Sequence, residues 1–268
     1  MFAIYLDNGF FFKTYIDFLA TCVQSQDNKC WLRVDNSGIK VEYITDKHDK
    51  NRCNIYVFLE RGCFKSYVIT KNFEICIEPK QIQKLCRNIK KKDKLQIKFD
   101  EENTSLKLII YNDFCGKREE KEIPFSSYYE KHNEEIVEKP QDFYKFPFTV
   151  SSDSVQNVKK VVGIKRLSVD LIMLQDKFLI FKGLSQGVSP FVIQYPHDYE
   201  TELEMNNASK ITLSGIVISI LSKLTQISKH IHFYQNLDTN LNMLKITAKL
   251  DIPYYMGEVE MIVFELGS

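Results

Sequence analysis

Residues Glu74–Phe99 read EICIEPKQIQKLCRNIKKKDKLQIKF, and this stretch decides the fold. Phe73–Glu78 alternates apolar and polar residues, the period of a half-buried strand, and Lys94–Asp100 does the same. Between them the spacing changes. Pro79 stands where a helix tolerates proline, and Ile82, Leu85, Cys86 and Ile89 then recur at helical intervals, which predicts a helix over 79–92. Lys80, Lys84, Arg87 and Lys91 follow one another at four, three and four residues and form one outward stripe. Lys90, Lys92 and Lys94 surround its end. The chain as a whole is almost neutral, with 36 Lys and Arg against 35 Asp and Glu. A basic helix in a neutral chain means that charge is segregated by place, so only local clusters can report on a partner.

The same alternation runs outward in both directions. Strands are expected at 2–7, 30–35, 39–44, 53–60, 65–70 and 105–112, and in the second half at 146–150, 167–174, 177–183, 190–195, 231–236, 242–250 and 258–266. Asn36-Ser37-Gly38 is a tight hairpin signal. Three more helices are expected. Asn8–Gln24 follows an Asn cap, Ser152–Val162 a Ser cap with Val155, Val158 and Val162 inward, and Ser214–Ile227 opens after ITLS. The order is strand, helix, strands, helix, strands, and it occurs twice, which predicts an internal duplication with a period near half the chain. The polar, acidic stretch at 118–145 reads as a linker that ends near Pro140. The expectation is an α+β protein with an N-terminal domain at 1–130, a connecting linker at 131–143 and a C-terminal domain at 144–268.

The other helices carry cations too: Lys13 on the first, Lys159 and Lys160 on the third, Lys223 on the fourth. Acids concentrate elsewhere, at 101–102, 119–122, 134–138 and 200–204. One basic helix is explained by solubility and by lysines that complement a helix C-terminus. Four in a duplicated array point to a polyanion. Catalytic signatures are missing. No glycine loop has phosphate-binding spacing, and there is no GxSxG or HExxH. His230-x-His232 would set two imidazoles on one strand face but has no third ligand nearby, and the better reading is an exposed strand end. The seven cysteines precede residue 116, form no CxxC pair and mostly sit in apolar runs, as buried thiols in a reducing compartment do. The opening MFAIYLDNGFFF lacks a basic n-region, and no run has the roughly 18 apolar residues of a spanning helix, so neither signal peptide nor membrane span is expected. The residues describe a scaffold that is not an enzyme, with no cofactor and no metal.

Taken together, these stretches resemble sliding clamps of the proliferating cell nuclear antigen type, over nearly the whole length. MFAIYLDNGFFFKTYIDFLATC is similar to the clamp start. KCWLRVDNSGIKVEYITDKH matches the family's Cys-Trp strand and Ser-Gly hairpin, with Trp31 and Gly38 as anchors. IEPKQIQKLCRNIKKKDKLQIKF resembles the second helix, YKFPFTVSSDSVQNVKKVVGIKR the third, and ITLSGIVISILSKLTQISKHIHF the fourth. MGEVEMIVF looks like the last strand. The chain departs from the family in its neutral charge, in an apparent insertion at 46–52 and in MIV where tyrosines are common. These departures mark a diverged clamp, and a virus is among the sources they fit.

The resemblance implies a clamp fold, two tandem domains each with two helices on curved antiparallel sheets, assembling as a homotrimeric ring. Its function would be a polymerase processivity factor that encircles duplex DNA without sequence preference and works in replication and repair. Lys84, Arg87, Lys160 and Lys223 fall on the family's DNA-facing positions; Lys80, Lys91 and Lys159 join them on the same helices, and Lys13 on the first. Partners would be a DNA polymerase and other proteins carrying a short clamp-binding motif, with a clamp loader, in the nucleus or at a viral replication site. Ile44, Ile136, Val137, Ile262 and Phe264 would line the partner pocket, and Ile136-Val137 is an apolar pair in an otherwise acidic linker. The subunit joint is expected at strands near Lys107–Tyr111 and Phe178–Phe181. An alternative is the same fold as a subunit of a heteromeric checkpoint clamp or as a viral late-transcription factor.

Overall fold

The computed structural model describes residues 2–23, 30–45, 51–100, 105–124, 143–162, 168–185, 188–196, 208–237, 242–251 and 254–265. Burial follows the sequence periods closely. Phe2, Ile4 and Leu6 are buried while Ala3 and Tyr5 are half-buried, which makes 2–6 a one-faced strand. The first half runs β1 (Phe2–Leu6), α1 (Gly9–Cys22), β2 (Cys30–Asp35), β3 (Gly38–Ile44), β4 (Asn51–Glu60), a 3-10 turn (Arg61–Cys63), β5 (Ser66–Ile69), β6 (Phe73–Ile77), α2 (Pro79–Cys86), β7 (Lys94–Asp100), β8 (Ser105–Asn112) and β9 (Lys117–Pro124). The second half runs β10 (Phe148–Ser151), α3 (Ser152–Val162), β11 (Val169–Leu174), β12 (Phe178–Ser185), β13 (Val188–Tyr195), β14 (Ser209–Leu213), α4 (Gly215–Leu224), β15 (His230–Gln235), β16 (Met243–Leu250) and β17 (Gly257–Glu265). The architecture is α+β, with mostly antiparallel sheets.

Two compact units emerge, and neither is one continuous segment. The first comprises Met1–Tyr43, Tyr56–Glu135 and Pro253–Glu258, and the second Ile44–Ile55, Ile136–Ile252 and Val259–Ser268. In the first unit, strands order as β5-β1-β7-β8-β9 and as β6-β2-β3-β4, and α1 packs beside α2. In the second, the orders are β10-β15-β16-β17 and β14-β11-β12-β13, and α3 packs beside α4. The duplication is therefore topological. β1-β7-β8-β9 corresponds to β10-β15-β16-β17, and β6-β2-β3-β4 to β14-β11-β12-β13. Among the described residues, β5 alone has no counterpart in the second unit.

Several expectations need correction. The second helix ends at Cys86, six residues before the expected Lys92. Asp93, 4% exposed, accepts the Lys90 amide at 2.8 Å and holds residues 89–93 in a turn that cannot continue the helix. Lys91 therefore sits on this turn and is not part of a helical stripe. KREEKEIP, read as the start of a linker, is strand β9, and SKITL is strand β14. Strand β9 has one apolar residue in the run Lys117–Ile123, so no hydrophobic alternation announces it. Its presence changes the edges. β8, which holds Lys107–Tyr111, is paired with both β7 and β9, and β12, which holds Phe178–Phe181, with both β11 and β13. Among the described residues, the two sheets that hold them are open at β9 and β13, and at their other ends β5 and β14. Of the apparent insertion at 46–52, residues 46–50 lie outside the described residues, whereas Asn51 and Arg52 are buried in β4.

Candidate nucleic-acid interface

Three of the four described helices begin with a side-chain cap written in the sequence. Asn8 Oδ1 accepts the Phe11 amide at 3.3 Å to start α1. Ser151 Oγ accepts the Ser154 amide at 3.3 Å ahead of α3 and supplies the expected serine cap. Ser214 Oγ accepts the Val217 amide at 3.5 Å ahead of α4. A second device fixes that last start. The buried Asn51 receives the Ser214 amide on Oδ1 at 2.7 Å and donates to the Thr212 carbonyl at 2.8 Å. Helix α2 has no side-chain cap and begins on Pro79 instead.

Their buried faces agree with the sequence except at Leu85, which is only half-buried. Phe11, Tyr15, Phe18, Leu19 and Cys22 are buried on α1, Ile82, Cys86 and Ile89 on or after α2, Val155 and Val158 on α3, and Ile220, Leu221 and Leu224 on α4. The side chain of Val162 lies outside the described ones.

The cations take the remaining surface. Lys84 and Arg87 are exposed, one in the last turn of α2 and the other at its C-cap; Lys91 is exposed on the turn beyond, and Lys80 is half-buried near the helix start. Lys13 is half-buried and donates to the Arg87 carbonyl at 2.7 Å, with its ammonium 5.6 Å from the centre of the Phe10 ring. Lys121 of β9 donates to the Leu85 carbonyl at 2.6 Å. Two lysines from other elements thus satisfy carbonyls at the C-terminal end of α2, where the helix dipole favours positive charge. Lys13 is accordingly a brace for α2, which leaves two of its three N–H donors for an anion. In the second unit Lys159 and Lys160 are exposed on α3, and Lys223 is half-buried in the last turn of α4. Within each unit the helix pair brings its own cations onto neighbouring elements: Lys13 with Arg87 in the first, the α3 lysines with that of α4 in the second.

The expected partner-pocket residues separate. Ile136 and Val137 lie outside the described residues. Ile262 is 1% exposed and belongs to the core of its sheet, while Ile44 and Phe264 are half-buried. Ile44 ends β3 and the other two lie on β17, the strands on either side of β4 in sheet order.

Several titratable side chains have structural partners. His232 Nδ1 lies 2.8 Å from Thr149 Oγ1, and His230 is exposed at the strand end. Asp170 accepts from Thr212 Oγ1 at 3.0 Å and pairs with Lys210 at 2.8 Å, and Asp251 accepts the Lys229 amide at 2.9 Å. All seven cysteines are described, none is in a disulfide, and Cys22, Cys30, Cys53 and Cys86 are buried. Burial pushes the Cys86 thiol up to about 12, which keeps it a protonated, unreactive core group. Among the described residues no three His, Cys, Asp or Glu side chains could hold a metal, and no helix is long and apolar enough to cross a membrane. A cavity of about 30 Å³ inside the first unit is lined by apolar side chains such as Ile4, Phe12, Ile16 and Ile82, a packing gap with no polar group to act on a ligand.

Two things here were hidden in the sequence. The bracing role of Lys121 depends on β9, which has no apolar period, and that of Asn51 on a partner more than 160 residues away. No family model matches the sequence, and no curated protein is similar to it.

Proposed function

We propose that this chain is a sliding clamp, a processivity factor that encircles duplex DNA and tethers a polymerase and other replication or repair proteins to it. One observation carries the reading. The same strand order recurs around a helix pair in both units, and each pair presents exposed cations, Lys84 and Arg87 in the first and Lys159 and Lys160 in the second. Long lysine and arginine stems can neutralise a regular phosphate lattice without reading bases, so the protein is held electrostatically yet remains free to slide. The near-neutral total charge is compatible with this, because the described helices carry six lysines and only two acids, Asp17 and Asp153. In this reading the two units are tandem clamp domains, copies close a ring through their open strand edges, and partners dock a short motif near Ile44, Phe264 and the 136–137 pair. Loading onto DNA needs a separate loader, and the setting is the nucleus or a viral replication site.

Replacing Lys84, Arg87, Lys160 and Lys223 with Ala tests the interface. Each phosphate neutralised contributes about 0.9 to the dependence of log K on log salt, so the four changes should lower that slope by up to about 3.6 and weaken duplex binding at every sequence alike. The four side chains are exposed or half-buried, so the fold should survive. An unchanged slope would remove the helices from the DNA. Native mass of the chain alone decides its assembly: a closed homo-oligomer fits the processivity clamp, whereas a monomer fits the subunit of a heteromeric clamp or a late-transcription factor.

A further inference from the structure

The β8–β9 hairpin ends in Asp113-Phe114-Cys115-Gly116, and Phe114 is 94% exposed, more than any other large hydrophobic side chain among the described residues. The tip is held in place. Gly116 supplies a φ of +62° for the turn, and Asn112 Oδ1 accepts the Cys115 amide at 3.1 Å. Asn112 Nδ2 also donates to Asp93 Oδ1 at 2.5 Å, and Asp93 Oδ2 accepts the Lys90 amide at 2.8 Å. This chain of bonds fastens the hairpin tip to the turn that follows α2. That turn carries Lys90, Lys91 and Lys92, which are exposed and make no ion pair with another described residue. An exposed aromatic side chain is therefore carried on a tip that is bonded to a turn with three lysines, none of them ion-paired to another described residue.

We propose that this corner binds single-stranded nucleic acid, with an unpaired base stacked on Phe114 and the adjoining phosphates on Lys90–Lys92. The combination of a π-face with clustered cations suits an unpaired strand, whose bases are open to stacking. A duplex offers the lysines its phosphates but keeps its bases stacked on one another, out of reach of Phe114. A second copy of the chain would bring the same uncompensated lysines to the contact, which opposes pairing at this corner. The proposal takes its ligand class from the DNA reading but does not need a closed ring.

Two titrations separate the outcomes. An oligothymidine carrying one 2-aminopurine reports stacking by loss of its fluorescence, and its anisotropy reports affinity; a duplex of the same length is titrated in parallel. Phe114→Ala should abolish the quenching and lower single-strand affinity about five- to a hundredfold. Phe114→Trp should retain both, and duplex affinity should be unchanged in either variant. The side chain is exposed, so its removal should leave the melting temperature unaltered. Single-strand binding that is equal in wild type and Phe114→Ala would overturn the proposal. So would a loss of native mass in that variant, which would make Phe114 a contact between copies. Absence of duplex binding by the wild type would instead sink the clamp reading and leave the single-strand result to stand by itself.

Discussion

His232 shows how one residue couples this fold to pH. It is half-buried, its Nδ1 is engaged with Thr149, and burial first, then His230 and Lys249, holds its pKa below the usual 6.5. The folded state therefore disfavours the imidazolium, while the unfolded chain takes the proton at its ordinary pKa. The stability associated with a neutral His232 is complete above pH 6.5 and declines as pH falls below it, through the lower folded value. Denaturant midpoints measured at pH 7.5 and pH 5.5 should fall on acidification in the wild type and fall less in His232→Gln. Equal falls would assign the pH dependence to other groups. Asp93 acts through hydrogen bonds: one carboxylate ties the turn that follows α2 to the β8–β9 tip.

At the scale of elements, β4 is gripped by glycines on both sides. A Cβ on Gly257 of β17 would stand 1.9 Å from the Phe58 carbonyl oxygen, and one on Gly38 of β3 would stand 2.1 Å from that of Leu59. Both glycines also have positive φ, +146° and +150°. These are the glycines of the Met-Gly and Ser-Gly motifs, and close backbone approach explains why no side chain fits there. Gly257→Ala should destabilise the protein by more than about 1 kcal/mol, since it adds a backbone clash to an unfavourable φ. Thermal or urea unfolding measures this, and a neutral result would mean that β17 can shift away from β4. Helix α2 illustrates the opposite economy. It has only eight residues, too few to be stable alone, and it persists because Ile82 and Cys86 are buried and because Lys13 and Lys121 satisfy its last carbonyls.

For the whole molecule, the open edges matter most. β9 carries a ladder of charges, with Lys117 and Lys121 paired to Glu119 and Arg118 to Glu120, the kind of edge that resists indiscriminate pairing. β13 is different, since Val192 is 58% exposed on it. If copies join through these two edges, Val192→Arg should shift the native mass toward monomer at micromolar concentration while leaving the melting temperature of the monomer unchanged. Unaltered assembly would move the joint away from β13. Among the described residues each unit has further open edges, β5 and β6 in the first and β10 and β14 in the second, so the mass profile of Val192→Arg is what singles out β13.

Periodicity alone determined most of the elements. Among the described residues, alternation located fifteen of the seventeen strands, and start signals with apolar spacing located the four helices, because burial of one face imposes a period that each segment must carry in its own residues. Basic residues on the helices were legible for the same reason: whatever is not on the inward face is on the outward one. What only the tertiary structure decided depends on distant partners. β9 is a strand because β8 offers it hydrogen bonds, although its sequence is almost wholly charged. The early end of α2 depends on a buried aspartate whose other ligand, Asn112, comes from a separate hairpin. Which strands remain open, where Lys13 is spent on a carbonyl, and how the hairpin tip that carries Phe114 comes to be bonded to the lysine-bearing turn are consequences of pairing across the chain. Local spacing holds no record of such pairing, because hydrogen bonds between strands are made by backbone groups that every residue but proline possesses alike.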